Sequence, residues 1–296
     1  MEYLFVKGKY VIKGKRPDGD TIAFKPENPY DLYKLRYRKF NPELKSQLEV
    51  NIRLEGCDAL ETHYRPQFWF EELHQNTALA EGARNFMLDE LGFDSGALEF
   101  GKDGSVKSQT APIEGFIAIG DVDIYGRVVA FVFSRETKFK YATGKYANFT
   151  AELCKQSVNC RLVEKGLAYP AFYSTLPSYI RDILSDLAKK AKRGRKGVWE
   201  KDCSENGCNI FEDNFLVKLQ DEYVMFPKLF RRLSAFLLQN PNKRAFYSYL
   251  YDQEDSAFIL SKGHFGEFPK FISFDKETGL LKLRYAIEDL VIIPKR

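Results

Sequence analysis

No run of residues in this chain is apolar for long enough to cross a membrane as a helix. Its N-terminus, MEYLFVKGKYVIKGK, lacks the apolar core of a secretory leader, so a cytoplasmic protein is the expectation. Cysteine is scarce: Cys57, Cys154, Cys160, Cys203 and Cys208 are the five in 296 residues. An odd number in a chain long enough to bury a large core excludes a small disulfide-stapled fold and points to free thiols in a reducing compartment. Histidine is scarcer, and His63, His74 and His264 are scattered. Cys203 and Cys208 frame SENG, a turn, without further ligands at zinc-site spacing. An excess of one charge is also missing. The net charge of +4 permits nucleic-acid binding without demanding it, so the placement of charge matters more than its sum.

Ordinary globular patterning is present. Residues 9–16, KYVIKGKR, read as a strand, followed by a turn at Asp18-Gly19 and a second strand from Thr21. LEVNIRLEG alternates as a third strand, and residues 115–133 read as strand, turn, strand. Helices are expected from Thr77, as N-cap, to Leu91, over 157–165, and over 178–193. Trp199 is expected to anchor the chain back onto the core. Beyond Cys208 the character changes. An amphipathic helix over 226–238 and several short strands predict a smaller α+β domain over 209–296, without a catalytic motif and with His264 structural.

Two stretches are basic and aromatic together. In 25–47, Arg36 and Arg38 alternate with Tyr33, Tyr37 and Phe40, and 134–156 carries Lys138, Lys140, Lys145, Tyr141 and Tyr146. Such interleaving suits a nucleic-acid strand through stacking and phosphate attraction, and equally suits a solvated basic face.

The stretch with the most chemistry is IRLEGCDALET, 52–62. A strand carries Arg53 into a tight loop bearing Asp58 and Glu61, so one cation and two carboxylates lie within nine residues. With DGDTI at 18–22, DIYGRVVAFVF at 123–133, LVEKGLAY at 162–169 and AKRGRKGVW at 191–199, it resembles the staphylococcal nuclease (thermonuclease-like) family over residues 9–200. The resemblance implies an α+β fold: a five-stranded OB-fold barrel with flanking helices in 1–200, a common nucleic-acid scaffold. It implies a calcium-dependent endonuclease acting on DNA and RNA, preferring single strands and leaving 3′-phosphates.

Carried over residue by residue, Asp20 and Asp58 match the calcium carboxylates, and Ala59 matches a position that offers its backbone carbonyl. Arg53 and Arg127 match the phosphate-binding arginines and Glu61 the proposed general base. Tyr125 matches a nucleoside-contacting residue, and Phe172 and Tyr173 lie in the stacking region. Leu60 stands where many relatives have proline, and Ser174 takes one tyrosine position. The stretches 25–47 and 134–156 read as insertions. The chemistry is coherent in its own right. Two guanidinium forks neutralise the charge that builds on a pentacoordinate phosphorus, and a carboxylate can take a proton from water. A hard ion held by oxygens suits calcium. The alternative is an inactive domain of this type that binds nucleic acid or a protein partner. No obligate protein partner and no membrane association are predicted.

Overall fold

The computed structural model describes residues 1–36, 39–67, 69–138 and 140–293. The first part of the chain forms strands β1 (Glu2–Val11), β2 (Thr21–Pro26), β3 (Val50–Leu54) and β4 (Cys57–Ala59), then helix α1 (Thr77–Glu90). Strands β5 (Ile113–Val122), β6 (Val128–Ser134) and β7 (Lys145–Asn148) follow. Helices α2 (Ala151–Gln156) and α3 (Val158–Lys165), strands β8 (Ala168–Pro170) and β9 (Phe172–Tyr173), and helix α4 (Ser178–Arg193) come next. The chain packs into two compact units. One comprises residues 1–57, 82–162 and 175–183, and the other 58–81, 163–174 and 184–296.

In the first unit the sheet order β2-β3-β6-β5-β1 closes through an additional β1–β2 pairing, giving a five-stranded barrel, with β7 added beside β1. β1 pairs with β2, β5 and β7. That crowding explains a correction: the first strand is Glu2–Val11, not 9–16. Tyr3, Leu4, Phe5 and Val6 are all buried, so the strand has no polar alternation to announce it. The residues that follow Val11 turn instead, with Gly14 donating to Val106 O at 2.9 Å. Within the barrel wall the buried Tyr10 hydroxyl lies 3.0 Å from the carbonyls of Phe116 and Phe133 and accepts from the Phe133 N–H. A large aromatic can fill the core there without stranding its polar atom.

Asn159, fully buried on α3, ties that helix to the strands. Its Oδ1 accepts from Val132 N at 3.0 Å, and its Nδ2 faces Glu55 O at 2.9 Å and Ala130 O at 3.0 Å. Asn159→Ala takes the amide away from the Val132 N–H and the Glu55 carbonyl, while Ala130 O keeps its bond from Glu55 N at 2.9 Å, so a loss of about 2 kcal/mol is expected in urea denaturation. An unchanged midpoint would mean that water replaces the amide.

α1 starts as expected but with a different cap: the Asn76 side chain, not Thr77, accepts from Leu79 N at 3.2 Å. In 25–47, beyond the end of β2 at Pro26, the regular piece among the described residues is a 3-10 turn, Pro29–Lys34, which the prolines favour over a longer element. The expected insertion 134–156 contains β7 and α2.

The second unit holds the C-terminal α+β region. Strand β10 (Cys208–Asn209) precedes helices α5 (Phe215–Asp221), α6 (Pro227–Gln239) and α7 (Phe246–Asp252). Strands β11 (Ser256–Ile259), β12 (His264–Glu267), β13 (Ile272–Phe274), β14 (Leu280–Leu283) and β15 (Leu290–Ile293) complete it. They form sheets of order β10-β14-β13 and β12-β11-β15-β9, and β4 pairs with β8. α6 buries Leu229, Phe230, Leu233 and Phe236, the apolar face that its sequence announces. The predicted anchor Trp199 is buried against Tyr169, ring centroids 5.0 Å apart, and the Tyr169 hydroxyl donates to Asp202 at 2.7 Å. All five cysteines are buried and none forms a disulfide. Among the described residues no helix is long and apolar enough to cross a membrane.

Candidate active site

The expected site residues fall into two groups. The first lies on the barrel. Thr21 of β2 pairs with Arg53 of β3, and Leu54 N donates to Asp20 O at 2.8 Å. On the other side of β3, Ile52 aligns with Val128 and Arg53 with Val129, so Arg127 enters β6 beside the strand that carries Arg53. Asp20, Arg53 and Arg127 therefore sit within about two register positions across three adjacent strands. β3 alternates so that Ile52 and Leu54 are buried while Asn51 and Arg53 face outward, half-exposed.

Local chemistry fixes each side chain. Asp18 performs the turn: its carboxylate accepts from Gly19 N at 2.7 Å, and its N–H donates to Thr21 O. Asp20 accepts from the Thr21 hydroxyl at 3.0 Å. Asp123 organises the hairpin ahead of β6, accepting from Tyr125 N at 2.9 Å and Arg127 N at 3.0 Å through one oxygen, and from Arg127 Nε at 2.7 Å through the other. Gly126 has φ +75°, a left-handed turn conformation that glycine enters without strain. The Asp123 bond uses the Nε edge of Arg127 and presets the direction of its fork.

The remaining substrate-contact expectations divide. Tyr125 is 68% exposed, its ring 5.5 Å from the Arg127 guanidinium, and it presents an open aromatic face. Arg36 lies over the Tyr146 ring at 4.5 Å, and its backbone N–H donates to the Tyr146 hydroxyl at 2.6 Å, so the two basic-aromatic stretches meet there. Arg38 lies outside the described residues. Phe172 is a correction. It is fully buried, on a strand paired in parallel with β15, and has no face left for a base. Tyr173, beside it, is half-buried and pairs with Ile292.

The second group is Asp58, Ala59 and Glu61. After Gly56, at φ +79°, β4 carries Asp58 and Ala59, both buried. Glu61 is fixed through its backbone: its N–H donates to Gln75 Oε1 at 3.3 Å, and its carbonyl accepts from Gln75 N at 2.9 Å. Gln75 is itself held to Met225 O at 2.7 Å. Leu60, at the position where many relatives carry proline, is fully buried, so packing holds this loop where a ring would have.

The partner of these carboxylates is a residue that sequence reasoning passed over. Arg231 of α6 places Nη2 at 2.9 Å from Asp58 Oδ2 and Nη1 at 3.5 Å from Asp58 Oδ1. The same Nη1 donates to Glu61 Oε1. The side chains of Asp58 and Glu61 are 3% and 13% exposed, and that of Arg231 is 26% exposed. Burial works against the arginine's charge, but Asp58 and Glu61 outweigh it and raise its pKa well above the usual value. No local signal marks it: Arg231 sits on a helix whose other arginine, Arg232, pairs with Asp255 at 2.7 Å.

These residues as arranged do not fit a calcium ion. Both oxygens of Asp58 face the guanidinium of Arg231, so a calcium ion there would have to displace it.

Comparison with protein families matches residues 51–201, just over half of the chain, to the staphylococcal nuclease homologue family. The chain belongs to this family. The match spans β3 and β4 with Arg53, Asp58 and Glu61, the hairpin with Arg127, and Trp199. Family membership and the closed barrel together support a role with nucleic acids. No curated protein matches the chain.

Proposed function

We propose that this protein is an endonuclease that hydrolyses phosphodiester bonds of DNA and RNA, favouring single strands and leaving 3′-phosphates. The observation that carries the reading is the placement of Arg53 on β3 and of Arg127 at the start of the adjacent β6, two register positions apart, with Arg127 preset by Asp123. Two long guanidinium forks on neighbouring strands can converge on the non-bridging oxygens of one phosphate. They stabilise the charge that grows in the transition state more than that of the ground state. Glu61 is the group assigned to accept the proton of an attacking water, with Arg231 orienting its carboxylate. Tyr125 offers a stacking face, and Arg36 on Tyr146 offers a backbone contact. Calcium has no step in this reading, because Asp58 is engaged by a guanidinium.

A second reading, a binding module without cleavage, is favoured by one observation: the Arg231 pairing occupies the proposed base. The test incubates the full chain with a single-stranded oligonucleotide beside Arg53→Ala and Arg127→Ala. Each variant is expected to lose about 100-fold in cleavage, the scale of removing one charge-stabilising donor. Cleavage equal to wild type in both would sink the nuclease reading. Salt-sensitive binding without any cleavage would leave the module.

A further inference from the structure

Every element around Asp58 and Glu61 supports Arg231 as a fixture. α6 is anchored by four buried apolar side chains. On its other side, Lys228 at 2.9 Å and Arg232 at 2.7 Å share Asp255, which is itself buried. Tyr64 packs edge-on against Phe230 at 6.0 Å, and its hydroxyl faces Arg231 O at 3.4 Å. The guanidinium is planar, always charged and forked, so it satisfies both oxygens of Asp58 and reaches Glu61 at once. A divalent ion at these carboxylates would have to displace it, leaving an arginine without partners beside a dication.

We propose that Arg231 takes the seat of the metal: the C-terminal region supplies a built-in monovalent cation to the Asp58–Glu61 pair, which in consequence binds no calcium. The proposal deepens the functional reading above by naming the cation of the same carboxylates, and it is tested by binding, so its failure and that of the nuclease reading are separable. In place of +2 the pair receives +1.

The experiment uses the full chain stripped by chelator, with calcium alone as the probe, read by calorimetric titration and by thermal unfolding. Wild type is expected to show no calcium-dependent shift in Tm. Arg231→Gln takes the guanidinium away from two carboxylates, and at saturating calcium its Tm is expected to rise by about 5 °C. That gain should vanish in Asp58→Asn/Arg231→Gln. A calcium-dependent rise in wild type that Asp58→Asn abolishes would overturn the proposal. So would a folded Arg231→Gln that takes up no calcium. If Arg231→Gln fails to fold, the wild-type arm still decides, and Arg231→Lys, charged but unforked, is expected to show a smaller calcium shift. Its absence there would count against the proposal.

Discussion

Arg231→Met alone is expected to destabilise the protein by about 4 kcal/mol, while the triple variant Asp58→Asn/Glu61→Gln/Arg231→Met recovers most of that loss. The asymmetry follows from what each change leaves behind. Taking away the guanidinium alone removes a counter-charge from two carboxylates that are 3% and 13% exposed. Neutralising all three removes the charges together, and the remaining amides can still bond one another. The measurement is urea denaturation near neutral pH. If the single variant were as stable as wild type, the Arg231 contacts would be surface decoration. If the triple variant were no better than the single, the loss would come from packing of the arginine's stem and not from uncompensated charge.

The two kinds of site residue differ in how far the sequence reveals them. Arg53, Asp58 and Glu61 lie in one short stretch, and the alternation of VNIRL by itself puts Arg53 on the outer side of a strand. Arg127 follows from a turn, Tyr-Gly, placed ahead of an apolar strand. Arg231 lies 173 residues after Asp58, on a helix where an arginine on the polar face is the ordinary expectation. Only tertiary packing shows that this face meets two carboxylates. Phe172 illustrates the opposite error. Its neighbourhood in the chain suggests an open aromatic, but the parallel partner strand, Val291 and Ile292, comes from the far end of the sequence and buries it. β1 escapes local reading for a physical reason of the same kind: a strand covered on both faces carries no alternation to read. Local patterns give elements and the short-range half of a site, whereas counter-ions and covers are supplied by contacts that no local pattern encodes.

Glu55 carries the second large expectation, a fall in stability as the pH rises. It lies between Arg53 and Asp58, at the end of β3, yet points into the interior: it is 5% exposed, and its Oε2 is buried without a hydrogen-bond partner. Burial pushes its pKa from 4.5 to about 8, the nearby Asp121 carboxylate adds to the rise, and a hydrogen bond with Tyr3 opposes it. Cys154 and Tyr179 share this interior, and neither supplies a positive charge. The folded protein therefore holds the carboxyl protonated where the unfolded chain has released the proton. Its contribution is fully present below the unfolded value, near 4.5. It declines as pH rises toward about 8 and is flat above that. At about 1.4 kcal/mol per unit, the decline across this window is of order 5 kcal/mol. Glu55→Gln, neutral at every pH and of the same shape, should abolish this slope and be the more stable protein at pH 8. Gly120 leaves the room the side chain occupies: a Cβ there would lie 2.5 Å from Oε2, so Gly120→Ala is expected to destabilise in both backgrounds. The decisive comparison is the urea midpoint of wild type and Glu55→Gln across this pH range. Parallel curves would show that the carboxyl is ionised in the fold, with its charge met by a partner; curves that meet near pH 4.5 and separate as the pH rises toward about 8 would show a carboxylic acid held uncharged two residues from Arg53.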